Sequence, residues 1–356
     1  MGVSASSVNI RAPEVQIVDP TVELNWDSSL ANHPQSGFFH GAAWAAVLKE
    51  TYRHTPMYVT VRSGGECRAI WPIMEINSLL TGRRGVSLPF TDECEPLLHP
   101  IASPDAVLSA VCEVGRARGW RYFEFRGGRQ YFHGVQPSLT FLGHRLSLGR
   151  DTEAVFGRCE SSVRRAVRKA RQSGVCAEIS QQEEATRTYY ALHCRTRKKH
   201  GLPPQPYAFF QNIHRHVMSR GEGIVVIARL DRRAIAAGIF FHHGSGALHK
   251  FGAADESWQH LRGNNLVMWA AIEHFAQRGC QYLCFGRTSP ANAGLRRYKL
   301  GWGAEEREIK YYRYDYRVNA FVADVDQAAG WHNHVFRACP VFLLRWAGAV
   351  LYRHRA

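Results

Sequence analysis

Apolar and polar positions along the chain fall into two blocks with the same grammar, joined by a helical middle. In the first block, Phe38 to Lys49 (FFHGAAWAAVLK) has helical spacing. Met57 to Arg62 and Cys67 to Ile76 read as strands split by the turn Ser63-Gly64-Gly65. The polar loop Gly82-Arg83-Arg84-Gly85 and the segment Val86 to Asp92 follow. Ala106 to Arg118 is helical by period, and after Gly119 the chain returns to strand at Arg121 to Phe125. In the second block, Ile224 to Leu230, Ala234 to His242 and Ala247 to Ala253 read as strands. Asn264 to Gln277 is a helix, and Gly279 leads into a strand at Gln281 to Phe285.

The blocks also match in letters. Arg118-Gly119-Trp120-Arg121-Tyr122-Phe123-Glu124-Phe125 aligns with Arg278-Gly279-Cys280-Gln281-Tyr282-Leu283-Cys284-Phe285, each after a helix. This predicts a duplicated α/β unit. Between the blocks, Ser162 to Gln172, Glu183 to His200 and Tyr207 to Arg220 carry helical stripes. The expected division is a leader at 1–20, a first unit at 21–150, a second at 151–320 and a helical tail at 321–356. The tail, Trp331 to Ala356, is apolar at Val341 to Leu344 and Trp346 to Tyr352 and closes with Arg353-His354-Arg355. It reads either as an interfacial helix on an anionic membrane or as a helix docked on the core.

Composition narrows the partners. The 356 residues suit two domains, and 45% apolar content suffices for a sizeable core. A formal charge of +15 favours an anionic partner without choosing among nucleic acid, a phosphorylated cofactor and an acidic membrane surface. Nine cysteines without a Cys-x-x-Cys pair fit reduced thiols in a cytoplasm. The eighteen histidines show no metal-ligand spacing, so no metal is expected. The first twenty residues lack the pattern of a signal peptide. Met1-Gly2-Val3-Ser4-Ala5-Ser6 fits a myristoylation pattern that small residues often match by chance. No uncharged run is long enough to span a bilayer.

Candidate chemistry concentrates in Cys284 to Ala304 (CFGRTSPANAGLRRYKLGWGA), a strand end that opens into a loop at Gly286. Arg287, Thr288, Ser289 and Asn292 lie in that loop, followed by Tyr298-Lys299 and Trp302-Gly303. Cations and hydroxyls just beyond a strand end are what an anionic or tetrahedral reaction centre needs. Two further basic patches are the helix face of Arg164, Arg165, Arg168, Lys169 and Arg171, and the run Arg195 to Lys199. Each suits phosphate binding, and each also suits a solvated face or a complement to a helix dipole.

Taken in order, these motifs resemble the FemAB group, the peptidoglycan-bridge aminoacyltransferases and their Gram-negative relatives, built from two acetyltransferase-like (GNAT) domains. The resemblance covers about residues 35 to 315 and is nearest the branch associated with exosortase (PEP-CTERM) and exopolysaccharide systems. It rests on Arg165 to Gly174, Thr196 to Pro203, Asn264-Asn265-Leu266, Phe285-Gly286-Arg287-Thr288, Gly294, Tyr298-Lys299 and Trp302-Gly303. It implies an α/β (α+β) fold of tandem GNAT-like domains, each a mixed, mostly antiparallel sheet flanked by helices.

It further implies acyl or aminoacyl transfer to an amine or hydroxyl of a cell-envelope or exopolysaccharide precursor; the expected location is the cytoplasm, either free or peripheral at the inner face of the membrane. On this reading Lys299 stabilises the oxyanion or the donor's phosphate and is dispensable for folding. Arg287 and Thr288 orient the acceptor, and Asp92 receives or positions the attacking amine. Arg197, Lys199, Arg164, Arg168, Tyr298 and Asn292 bind substrate, Arg197 and Lys199 holding a phosphorylated or lipid-linked glycan carrier. No bound cofactor is expected, and the donor stays open between acyl-CoA and aminoacyl-tRNA.

The sequence departs from the family's patterns in places. The pyrophosphate loop of CoA-using relatives corresponds to Gln259 to Asn264, where the spacing is not kept. No coiled-coil arm is present, and Trp44 is followed by Leu48 before Lys49. Two other functions fit the same residues. One is a CoA-dependent N-acetyltransferase on an amino sugar, the other a non-catalytic GNAT-like module binding an anionic glycolipid or membrane surface.

Overall fold

The computed structural model of the chain describes residues 14–30, 33, 35–63, 66–99, 103–323, 336 and 339–355. Most of the expected leader, and much of the tail before residue 339, lie outside these.

The first block contains β1 (Glu14–Val18), α1 (Trp26–Ser29), α2 (Ala42–Tyr52), β2 (Thr55–Pro56), β3 (Tyr58–Ser63), β4 (Glu66–Trp71), β5 (Met74–Ser78), β6 (Gly82–Val86), β7 (Leu97–Leu98), α3 (Pro104–Ala117), β8 (Tyr122–Arg126) and β9 (Leu139–Ser147). The middle contains α4 (Thr152–Arg158), α5 (Ser161–Gln172), β10 (Val175–Ser180), α6 (Glu183–Lys199) and α7 (Tyr207–His216). The second block contains β11 (Gly223–Leu230), β12 (Arg233–His243), β13 (Gly246–Ala254), α8 (Gly263–Gln277), β14 (Tyr282–Thr288), α9 (Ala293–Leu300), β15 (Glu305–Asp315) and β16 (Ala320–Val322), and α10 (Val341–Leu351) follows.

Several expected elements differ: the loop read at Gly82 to Gly85 is β6, paired with β5, and β14 runs on through Arg287 and Thr288, which pair with β9 instead of lying in the loop. The single strand read over Cys67 to Ile76 is two strands in two sheets, because Pro72 cannot donate to a ladder. The basic turn before Lys299 is the helix α9, capped by Asn292, whose Oδ1 accepts from Leu295 N at 3.0 Å.

The duplication is visible in backbone bonds. α3 and α8 both end in a left-handed glycine, Gly119 (φ 67°) and Gly279 (φ 83°). Trp120 N donates to Gly115 O and Cys280 N to Phe275 O, both at 2.9 Å, the same helix-ending bond twice. Arg121 N then reaches Arg83 O (2.8 Å) and Gln281 N reaches Ser245 O (2.7 Å). From there β6 pairs parallel with β8, and β13 parallel with β14. All other paired strands run antiparallel.

The two units do not close separately. β9 leaves the first unit and pairs with β14 of the second. β15 leaves the second unit and pairs with β8 of the first. β9 and β15 also pair with each other, with Phe141 opposite Ile309. The outcome is one sheet in the order β10-β11-β12-β13-β14-β9-β15-β8-β6-β5-β2, with β16 on β15 and a second sheet β1-β3-β4-β7 alongside. The core crosses the same seam. Trp44 of α2 packs edge-on against Phe209 of α7, and Phe38 stacks on Phe241 of β12 at 4.5 Å between centroids.

α10 docks on the protein. Leu344 and Tyr352 are buried, and at Gly348 an added Cβ would lie 1.9 Å from Pro204 O. Its inner face thus follows the docked reading of the tail.

Because β8 and β14 each need a strand from the other unit, a chain stopped at residue 150 is expected to show no cooperative melt by circular dichroism. Co-expression of 1–150 with 151–356 should restore one. A cooperative transition in the first fragment alone would show that the exchange is not required.

Candidate active site

β13 and β14 are paired only from Gly246–Tyr282 to Leu248–Cys284, after which they diverge. At the fork β14 is irregular: its register on β9 shifts between Cys284 and Arg287, and Gly286 sits at φ 71°. Lys299 answers this irregularity. Its buried Nζ donates to Gly286 O (2.9 Å) and Arg287 O (3.0 Å). Burial pulls its pKa down to about 8, against the opposing pull of Asp92 and Cys284. Lys299 lines neither of the cavities flanking the fork. Two backbone carbonyls accept from it, that of Gly286 buried, so it also has a share in the fold.

Asp92 arrives from the first unit on a strained loop. Leu88 and Phe90 both hold positive φ (52° and 58°), a conformation costing about 1–3 kcal/mol at each non-glycine residue. Arg126 offsets this by donating to Leu88 O (3.2 Å) and Thr91 O (3.1 Å), and Trp44 Nε1 donates to Pro89 O (3.3 Å). From the exchanged strand β15, Tyr311 OH donates to Asp92 O at 2.6 Å. Arg126 is itself buried against Glu124 at 2.8 Å. Burial alone would raise the Glu124 carboxyl, but Arg126 and Arg313 outweigh it and hold the value below normal.

The Asp92 carboxylate lies directly over Gly286, where a Cβ would be 2.6 Å from Oδ2. Arg287 Nε stands 3.9 Å from Oδ1, with its guanidinium over Phe141 (4.2 Å) and Tyr311 (5.2 Å). On the other side Lys250 Nζ stands 3.8 Å from Oδ2, boxed by the rings of Phe39, Trp44 and Phe251 at 5.3–5.6 Å. Burial lowers the Lys250 pKa, with Asp92 opposing. The sequence reading missed Lys250. Its signal is a lysine within the mostly apolar strand Ala247 to Ala253.

Asp92 opens into a cavity of about 200 Å³ between the units, lined also by Glu93, Arg145, His243, Leu248 and Arg307. It shares much of its lining with an outer basin of about 770 Å³. Burial raises the Glu93 carboxyl although Arg307 pairs with it.

α9 separates this fork from a second space. Lys299 faces β14, while Tyr298 faces a cleft of about 910 Å³ lined by Arg165, Arg168, Lys169, Arg262 and Arg297. Arg262 and Asn265 bring the start of α8 to the same cleft. A helix N-terminus among cations is suited to phosphate.

The structure thus brings Lys299, Arg287, Asp92 and Thr288 to the fork, and Tyr298 and Arg168 to the cleft. The Thr288 hydroxyl is buried with no hydrogen-bond partner among the described residues. Arg164 does not line the cleft. Asn292 is spent as a helix cap. Arg197 donates to Pro203 O (3.2 Å) and to Tyr352 OH (2.6 Å), fixing α10, and Lys199 pairs with Glu256 at 2.7 Å. Neither lines the cleft. Among the described residues no group of side chains could hold a metal ion.

Residues 157–306 match the family model described as an acetyltransferase (GNAT) domain. Together with the topology, this makes the fold GNAT-like, a mixed, mostly antiparallel sheet flanked by helices, as the sequence predicts. FemX superposes at a TM-score of 0.67 over 85% of this chain and 97% of its own, with 13% identity. A tandem GNAT protein from the clavulanic acid biosynthesis pathway, solved without AcCoA, gives 0.55 over 85% and 98%, with 11% identity. L-PGS from Bacillus licheniformis gives 0.55 over 90% and 98%, with 10% identity. At such identities the likeness is one of fold. No curated protein matches the chain by sequence.

Two outcomes are expected. Gly286→Ala forces a side chain onto Asp92 at a positive φ, so it should cost about 1–3 kcal/mol in a denaturant melt and displace the carboxylate, with loss of turnover. The second concerns pH. Between about 8 and the ordinary 10.5 for Lys299, the unfolded chain binds more protons than the folded one. Stability from this group therefore rises with pH across that window, while the charge at the fork is lost. The transfer rate should fall as pH climbs through about 8, and in Lys299→Arg, which stays charged, the descending limb should vanish.

Proposed function

We propose that the chain is an acyl- or aminoacyltransferase. A phosphate-bearing donor lies in the cationic cleft of the second unit, and the amine or hydroxyl of a cell-envelope or exopolysaccharide precursor enters the cavity at Asp92. The observation that carries this reading is the fork itself, with a basic cleft on one side of α9 and a carboxylate-bearing cavity on the other. The acceptor's nitrogen or oxygen attacks the acyl carbonyl carbon. A bond to carbon forms, and the bond from that carbon to the donor's sulfur or ribose oxygen breaks. Asp92 holds the acceptor, positioned by Arg287 and Lys250. Glu93, with its raised carboxyl, takes the proton the acceptor sheds, and the departing sulfur or ribose oxygen takes up that proton as it leaves. Lys299 supplies positive potential at the developing oxyanion, an effect worth about 10²–10³ in rate.

The donor is the finer question. The start of α8 in the cleft favours the pyrophosphate of an acyl-CoA. The breadth of the cleft and its cations suit the acceptor stem of a charged tRNA, and the fold shared with FemX adds weight to that donor. Thermal shift with acyl-CoA, charged tRNA and free phosphate, followed by intact-mass analysis of a candidate precursor, separates the two. Stabilisation by acyl-CoA alone would remove the tRNA version. No mass gain with any donor would remove the enzyme reading.

Arg165→Glu combined with Arg168→Glu is expected to raise the donor KM about tenfold or more with little change in kcat. Asp92→Asn should raise the acceptor KM about tenfold or more and lower kcat, and should also lower the melting temperature, because buried Lys250 loses the carboxylate it faces. An unchanged donor KM, or an Asp92→Asn enzyme of normal kcat, would refute the assignment concerned.

A further inference from the structure

α10 has two opposed rows. Leu344, Gly348 and Tyr352, spaced by four, face the protein. Phe342, Trp346 and Val350, spaced the same way, face outward at 68%, 70% and 42% exposure, with Leu343 beside them at 46%. A second element stands at the end of this helix. The β5–β6 turn carries Leu79 and Leu80 at 101% and 68% exposure. It is held in place: Ser78 Oγ accepts from Leu80 N (3.2 Å) and Thr81 N (3.0 Å) and is hydrogen-bonded to His354 Nδ1 at 2.9 Å. Arg84 donates to His354 O at 2.8 Å, and His54 Nε2 to Arg353 O at 3.2 Å. The turn and the helix end are thus one fixed assembly.

Within these two segments the charge has one sign. Arg83, Arg345, Arg353 and Arg355 are exposed, and neither 76–85 nor 340–356 contains an aspartate or glutamate. Isolated exposed apolar residues are ordinary. Six large ones on two tethered elements, bordered by arginines and free of acids within those segments, are not. We propose that this face docks on an anionic lipid bilayer, with Phe342, Leu343, Trp346, Val350, Leu79 and Leu80 entering the headgroup–acyl boundary and the arginines meeting lipid phosphates. The eleven residues of α10 are too few to cross a bilayer, and no described helix is long and apolar enough to do so. A helix with one face on protein and the other apolar, carrying a tryptophan and followed by arginines, lies in the interface. Arginine complementarity to phosphate selects an anionic bilayer over an apolar protein partner or a second copy of the chain.

The test is vesicle flotation of the full chain, which needs no acyl donor, so its result is independent of the proposed reaction. Binding is expected to vesicles of phosphatidylglycerol with phosphatidylcholine, to weaken with added salt, and to be weak on phosphatidylcholine alone. Phe342→Ser with Trp346→Ser, and separately Leu79→Ser with Leu80→Ser, should each weaken binding about tenfold while leaving the melting temperature unchanged, since these side chains are already in water. Arg353→Glu with Arg355→Glu should abolish the preference for anionic lipid. Absence of flotation, equal binding to both vesicle types, or binding unaffected by all three double variants would overturn the proposal. So would an oligomer in sizing that the Phe342/Trp346 variant converts to monomer, because a second copy would then be the occupant.

Discussion

The exchange of β9 and β15 is the constraint on which the rest of the molecule depends. Each strand leaves the unit that precedes it and completes the sheet of the other, and the two pair at Phe141–Ile309. The register has an approximate two-fold character. Ser147, as far beyond Phe141 as Asp315 is beyond Ile309, meets Tyr282, while Asp315 meets Tyr122. The exchange also assembles the site. Phe141 comes from β9 and Tyr311 from β15, and between them they carry the Arg287 guanidinium and the backbone of Asp92. The candidate site at the fork is therefore built from both units.

Much of this was legible in the sequence, for reasons that can be named. The repeat was readable because a helix-ending glycine before a buried strand is a local requirement, met at Gly119 and again at Gly279. Lys299, Arg287 and Asp92 stood out as polar residues beside strand ends. Lys250 did not, because its role depends on three aromatic rings, two of them from the first unit. Arg197 and Lys199 read as phosphate ligands, yet the partners they meet are Pro203, Tyr352 and Glu256, contacts that no spacing rule anticipates. β15 went unread because its sequence, EEREIKYYRYD, is charged at most positions exposed to solvent and becomes a strand only between β8 and β9.

The net charge of +15 first reads as one property pointing to one partner. In the structure it divides into separate tasks. Arg126 and Lys299 hold strained or irregular backbone from within. Arg165, Arg168, Lys169, Arg262 and Arg297 face an open cleft. Buried cations of the first kind are costly to desolvate and are kept by the hydrogen bonds they satisfy. Cations of the second kind remain hydrated, free to exchange water for phosphate.

The two forks are equivalent in register but not in content. Where the second unit has Gly286, the aligned position of the first is Arg126, closed over by the loop that carries Asp92. One copy of the duplicated unit has thus given up its own opening and become a wall of the other's. Residues that line the cavity at Asp92 and residues that line the cationic cleft lie in different stretches of the chain. On the proposed reaction, a lineage carrying this architecture can change what is modified and what is delivered in separate mutational steps, without one change undoing the other.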